Sequence, residues 1–117
     1  MQRRVVNVGD GAADLPYSSA VVARGDFVYT SGHAGFVPET GEAPASIQAQ
    51  TVQALENLKE VLEAAGTTLE HVVKVNVYRA DVEDFAAMNE VYRRYFPHER
   101  PARSTAGALL VRSDLLI

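Results

Sequence analysis

The sequence predicts an α+β domain in which two helices cover one face of a mixed β-sheet, with elements in the order β-β-β-α-β-α-β-β. Three observations carry that prediction. Two stretches repeat apolar residues at helical spacing, one alternates valine with polar residues at strand spacing, and a short glycine-containing connection joins two β-rich runs.

A short strand is expected at residues 4–6. Val21-Val22-Ala23, the turn Arg24-Gly25-Asp26 and the run Phe27-Val28-Tyr29-Thr30-Ser31 then read as a β-hairpin. The first helix is predicted over residues 46–65, because Ile47, Ala54, Leu55, Leu58, Val61, Leu62 and Ala65 form one apolar stripe. Ser46 is placed to cap its start and Gly66 to end it. Residues 72–79 are the clearest strand: Val73, Val75 and Val77 point one way, Lys74, Asn76 and Tyr78 the other.

The second helix should span residues 82–95, with Asp81 as N-cap, Asp84 at the third helical position and Pro97 stopping it. Its stripe is Phe85, Met88, Asn89, Tyr92 and Phe96, so a carboxamide sits among core residues and must find partners there or at a pocket edge. Strands near residues 104–111 and from Leu115 complete the set. Two helices cannot cover both faces of a sheet. The face holding Tyr29, Ser31, Asn76 and Tyr78 is too aromatic for solvent and too polar for a core, which predicts packing against another copy of the chain. The apolar end Leu115-Leu116-Ile117 reads as the middle of a strand, so the end of that strand is expected to be missing from the chain.

Length and composition narrow the function classes. The chain has 117 residues, and a single domain, 1–117, of that size buries roughly 65% of its unfolded surface without needing a metal or disulfide. Cysteine is absent, which excludes disulfide frameworks, thiolate metal sites and thiol nucleophiles. The formal net charge is −4 and the basic residues are scattered, the densest group being Arg93, Arg94, Arg100 and Arg103 with Glu90 and Glu99 beside them; a nucleic-acid partner is not expected. No stretch suits a membrane span or a signal peptide, so a cytoplasmic location and no membrane partner are expected. Gly9-Asp10-Gly11 is not a dinucleotide fingerprint, no phosphate-binding loop occurs, and His33, His71 and His98 lack metal-ligand spacing. No metal is expected.

The segment Arg100-Pro101-Ala102-Arg103-Ser104-Thr105 carries the chemistry. Pro101 presets an extended entrance to a strand, and Arg103 follows among small residues. Facing solvent, Arg103 is an ordinary surface arginine. Pointing into a cleft, its planar fork matches a carboxylate with two charge-assisted hydrogen bonds, together on the order of 3 kcal/mol.

Pro16-Tyr17-Ser18, Thr30-Ser31-Gly32, Thr40-Gly41-Glu42, the run from Gln53 to Gly66, Phe85 through Asn89, and Arg100-Pro101-Ala102-Arg103-Ser104 closely resemble the RidA (YjgF-type) family of reactive-intermediate imine/enamine deaminases, across essentially the whole chain. The resemblance implies a chorismate-mutase-like homotrimer with a central barrel and clefts between subunits. It implies hydrolytic deamination, without a cofactor, of 2-aminoacrylate, 2-iminopropanoate or 2-iminobutanoate to 2-oxo acids and ammonia. Position by position, Arg103 corresponds to the arginine that clamps the substrate carboxylate, with Tyr17, Ser31 and Asn89 as further substrate-binding residues. Thr105 stands where many relatives carry cysteine and, as a comparable small polar residue, is expected to bind substrate too. His33-Ala34-Gly35 replaces the common Gln-Ile-Pro and alters the cleft wall, with His33 itself expected as a surface residue at a strand end. The family's catalytic glutamate falls beyond Ile117, which implies an intact carboxylate clamp with turnover slowed by about 10²- to 10⁴-fold, and leaves Arg103 as the catalytic residue within this chain. A small-carboxylate or 2-oxo acid binding module is the alternative, and a ribonuclease or translation inhibitor ranks last on charge.

Overall fold

The structure is a computed structural model that describes residues 2–117. Strand β1 (Gln2–Val6) pairs antiparallel with β2 (Ala20–Arg24), Arg4 lying opposite Val22. Helix α1 (Ile47–Ala64) follows, then β3 (Lys74–Arg79), α2 (Phe85–Tyr95) and β4 (Ala102–Gly107). Strands β3 and β4 are parallel, as a helical crossover between them requires. Val75 lies opposite Arg103, Val77 opposite Thr105 and Arg79 opposite Gly107. A single bridge, Ser18 with Ala102, and the hydrogen bond from Ser18 N to Pro101 O at 3.1 Å link the two strand pairs.

Local chemistry sets the helix ends as the sequence predicts. Ser46 Oγ accepts from Ala49 N at 3.1 Å. Past the far end Gly66 takes φ +87°, a left-handed conformation that lets it end the last turn. Asp81 Oδ1 accepts from Glu83 N at 2.9 Å, so it caps as expected, although the first turn is a 3₁₀ turn (Val82–Asp84) before α2 begins. The core lies between the helices and β3: Ile47, Leu55, Val77, Met88, Val91, Tyr92 and Phe96, with Leu116 and Ile117 packed at its margin. Lys74, Asn76 and Tyr78 stay exposed on the opposite face, in line with the alternation.

Four expectations are corrected. The hairpin does not form: β2 pairs with β1, and the run from Phe27 to Ser31 carries no strand. Phe27, Val28 and Tyr29 are all exposed, so no buried face selects a register for that run. The expected strand over residues 104–111 instead spans Ala102–Gly107, because its partner β3 ends at Arg79. The bond from Ala108 N to Arg79 O, 2.9 Å, is the last rung. No strand opens at Leu115. That residue is buried, and Leu116 O accepts from Ala80 N at 3.0 Å, one contact rather than a ladder. The single mixed sheet is therefore two two-stranded sheets.

Candidate functional site

Arg103 points to the helix side of β4, with the parity that also brings Val75, Val77 and Arg79 of β3 to that side. Fully buried Pro101 fixes the backbone just ahead of it. Above the strand, α2 presents Phe85, Asn89 and Tyr92 at i, i+4 and i+7, a single helical face. The guanidinium meets all three. Its Nη1 donates to Asn89 Oδ1 at 2.7 Å, and its Cζ lies 4.6 Å from the Tyr92 ring centre and 5.7 Å from that of Phe85. The Tyr17 ring closes another side at 5.4 Å.

Tyr17 is held there indirectly. Arg93 Nη1 donates to Asp14 O at 2.8 Å, and Arg100 donates through Nε to Phe96 O at 2.8 Å and through Nη1 to Leu15 O at 3.0 Å. These bonds fasten the turn before Tyr17 onto the end of α2. Two arginines of the sequence's densest basic group thus cap backbone carbonyls.

What remains open on Arg103 defines the site. Nε and Nη2 are buried and have no hydrogen-bond partner among the described residues. Leaving donors of a charged group unpaired in a buried place is costly unless something supplies acceptors. Burial lowers the guanidinium pKa, the neighbouring tyrosines oppose that, and Arg79 and Arg93 add repulsion. Among the described residues the one ion pair is Arg112 with Asp114 at 2.7 Å, on the surface. Arg103 therefore offers two adjacent N–H donors and an uncompensated positive charge, the complement of a carboxylate. The Tyr92 hydroxyl, also buried without a partner, is held neutral because burial raises its pKa well above the usual tyrosine value.

The structure thus brings together Tyr17, Asn89 and Arg103 from the sequence expectations. Thr105 lies beside them, but its Oγ1 accepts from Arg79 Nε at 3.1 Å. Ser31 sits exposed in the 25–34 loop and makes no hydrogen bond with this group among the described residues. His33 is half-buried in the same loop. No cluster of residues able to hold a metal occurs among the described residues.

Three contributors escaped the sequence reading. Phe85 and Tyr92 belong to the helical stripe that the sequence reads as core-facing, yet both lie against the cation. Arg79 is only 5% exposed, with Nη1 donating to Val82 O at 3.0 Å and Cζ 4.9 Å from the Phe85 ring centre. The signal was present: the alternation that buries Val73, Val75 and Val77 puts position 79 on the same side.

Residues 10–117 match a family profile described as Endoribonuclease L-PSP. A RutC family protein of Pyrococcus horikoshii is 47% identical over 103 residues, covering 87% of this chain and 81% of that protein. The 2-iminobutanoate/2-iminopropanoate deaminase of Capra hircus is 39% identical over 104 residues, covering 87% and 75%. Among solved structures, Escherichia coli TdcF with bound serine superposes with a TM-score of 0.72 at 38% identity, covering 86% of this chain and 81% of that one. No helix among the described residues is long and apolar enough to cross a membrane.

Proposed function

Because the chain belongs to the RidA (YjgF-type) family, we propose that it hydrolyses reactive 2-imino and enamine acids, namely 2-aminoacrylate, 2-iminopropanoate and 2-iminobutanoate, to 2-oxo acids and ammonia. The observation that carries this reading is the pair of buried, unpartnered donors on Arg103. They fit a substrate carboxylate in the bidentate geometry that guanidinium prefers. Asn89 fixes the third corner of the fork, and the rings of Tyr17, Phe85 and Tyr92 exclude water around it. In so sheltered a place the charge pair is stronger than in bulk water.

The chemistry asks little more of the protein. A protonated imine is already electrophilic at its C=N carbon, and 2-aminoacrylate reaches that form when a proton from water adds to its CH2 carbon. Water adds there, a proton passes to nitrogen, and ammonia leaves as the carbonyl forms. Holding the carboxylate fixes the attitude of that carbon toward water, a positional contribution to the rate. In this reading the chain forms a homotrimer with sites between subunits. Thr105 lines the site beside Arg103, and Ser31 joins it from the neighbouring subunit.

The test couples a serine/threonine dehydratase to the protein and follows 2-oxo acid release. The chain is expected to accelerate hydrolysis, and Arg103→Ala to reduce that acceleration by about 100-fold or more. No acceleration by the unmodified chain overturns the enzymatic reading. A second reading, a non-catalytic binder of small carboxylates or 2-oxo acids, is favoured by one observation: no carboxylate contacts Arg103 among the described residues. Calorimetric binding of 2-oxobutanoate that disappears in Arg103→Ala, with no imine hydrolysis, selects that reading.

A further inference from the structure

The carboxylate clamp leaves Arg79 unexplained. A buried guanidinium is expensive, and the usual solution is an acid beside it. Arg79 has none among the described residues. It donates from Nε to Thr105 Oγ1 and from Nη1 to Val82 O, with a longer 3.4 Å contact to Asp81 O, all neutral acceptors. Its Nη2 makes no hydrogen bond among the described residues.

Arg79 and Arg103 also share a neighbour. Their Cζ atoms lie 4.9 and 5.7 Å from the centre of the Phe85 ring. Both project from the helix side of the β3–β4 pair, and Thr105, two residues along β4 from Arg103, holds Arg79 in place. Two like charges crowded around one ring raise each other's energy, and Arg79 indeed acts against the charge on Arg103. A ligand with one negative charge, held on Arg103, removes that repulsion but leaves the buried Arg79 without a counter-charge. A ligand with two supplies a counter-charge to each guanidinium.

Resting on the proposed reading of the Arg103 site, we propose that Arg79 determines specificity by binding a second carboxylate. The site then prefers dicarboxylic 2-imino or 2-oxo acids to monocarboxylic ones. Arg103 takes one acid group through Nε and Nη2, and Arg79 takes the other through Nη2. Phe85 packs between them against the carbon chain. A neutral residue at position 79 leaves the second carboxylate facing only Thr105 and backbone carbonyls, which repel it.

Calorimetric titration of the unmodified chain with 2-oxobutanoate and with 2-oxoglutarate tests this, and the ratio of the two affinities is the readout. The expected result is a dicarboxylate affinity about tenfold or more above that of the monocarboxylate, equivalent to one buried charge-assisted contact. In Arg79→Met the ratio falls to about two or less, whatever the absolute affinities, while Arg79→Lys keeps part of the preference. Equal affinities in the unmodified chain overturn the proposal even if both variants fail to fold, and so does a ratio that survives in Arg79→Met. Binding of neither acid overturns the Arg103 reading as well, whereas binding of 2-oxobutanoate with no added preference sinks this inference alone.

Discussion

A carboxamide on the core-facing stripe of a helix acquires its meaning from what it touches, and Asn89 touches the cation. Its Oδ1 holds Arg103 Nη1, which leaves the other two nitrogens free for a ligand. Replacing it with leucine of similar size removes that acceptor, and Asn89→Leu is expected to cost about 1–3 kcal/mol of stability in urea denaturation and to weaken 2-oxobutanoate binding about tenfold. Tyr92 behaves differently. Its hydroxyl is buried without a partner among the described residues, so Tyr92→Phe is expected to leave urea stability unchanged or to raise it by about 1 kcal/mol. A loss of about 2 kcal/mol or more contradicts that account. Asn89 was legible as an anomaly of pattern, because polar side chains on apolar stripes must be satisfied. That Arg103 would satisfy it was not, since 14 residues separate them in sequence.

Elements are joined here by a few buried polar contacts as much as by apolar packing. Gln50 of α1 is 1% exposed and donates to Pro44 O and Asp114 O, each at 2.8 Å, while its Oε1 accepts from Leu116 N at 2.7 Å. Gln50→Ala is expected to destabilise by about 2–4 kcal/mol, read from the urea midpoint, since it empties space and strands three backbone groups. Gly35 packs directly on the same turn: a Cβ there would clash with Gln50 O. The loop is pinned by Asn57 Nδ2, which donates to Ala34 O and Phe36 O at 3.1 and 2.9 Å, so Gly35→Ala cannot be relieved by a local shift and is expected to cost about 1–3 kcal/mol. Across the helix pair, burial and then the neighbouring Glu56 carboxylate push the Tyr95 hydroxyl from 10.0 up to about 12. A phenol raised in the fold favours folding while it is protonated. That contribution is complete below pH 10 and lost as pH climbs from 10 towards 12, a decline expected to be smaller in Tyr95→Phe when urea midpoints are compared.

At the scale of the molecule, large apolar side chains stand exposed on several elements. Val22, Phe27, Val28, Tyr29 and Tyr78 are all at least 47% exposed, and Tyr29 reaches 91%. Such a display on a small chain marks a contact surface, in keeping with the proposed trimer. Sedimentation equilibrium is expected to give three chains, and Tyr29→Asp to shift the population to monomers, because a charge in a closed apolar interface lacks a partner. A monomer at micromolar concentration removes the shared-site arrangement. The run from Phe27 to Ser31 is exposed and unpaired, which explains why strand propensity alone misplaced it: a β-rich sequence becomes a strand only where an edge accepts it.

The sequence by itself determined the two helices and their caps, the alternating β3, the anomalous carboxamide at position 89 and the arginine motif at the entrance to β4, because each is written in spacing or in turn chemistry over a few residues. Only the tertiary structure decided that β2 pairs with β1, that β4 stops where β3 stops, that Tyr17 and α2 enclose Arg103, and that Arg79 stands beside it. Those outcomes depend on which chain segments meet across long separations, and burial of a charge is a property of the assembled neighbourhood that no local pattern records.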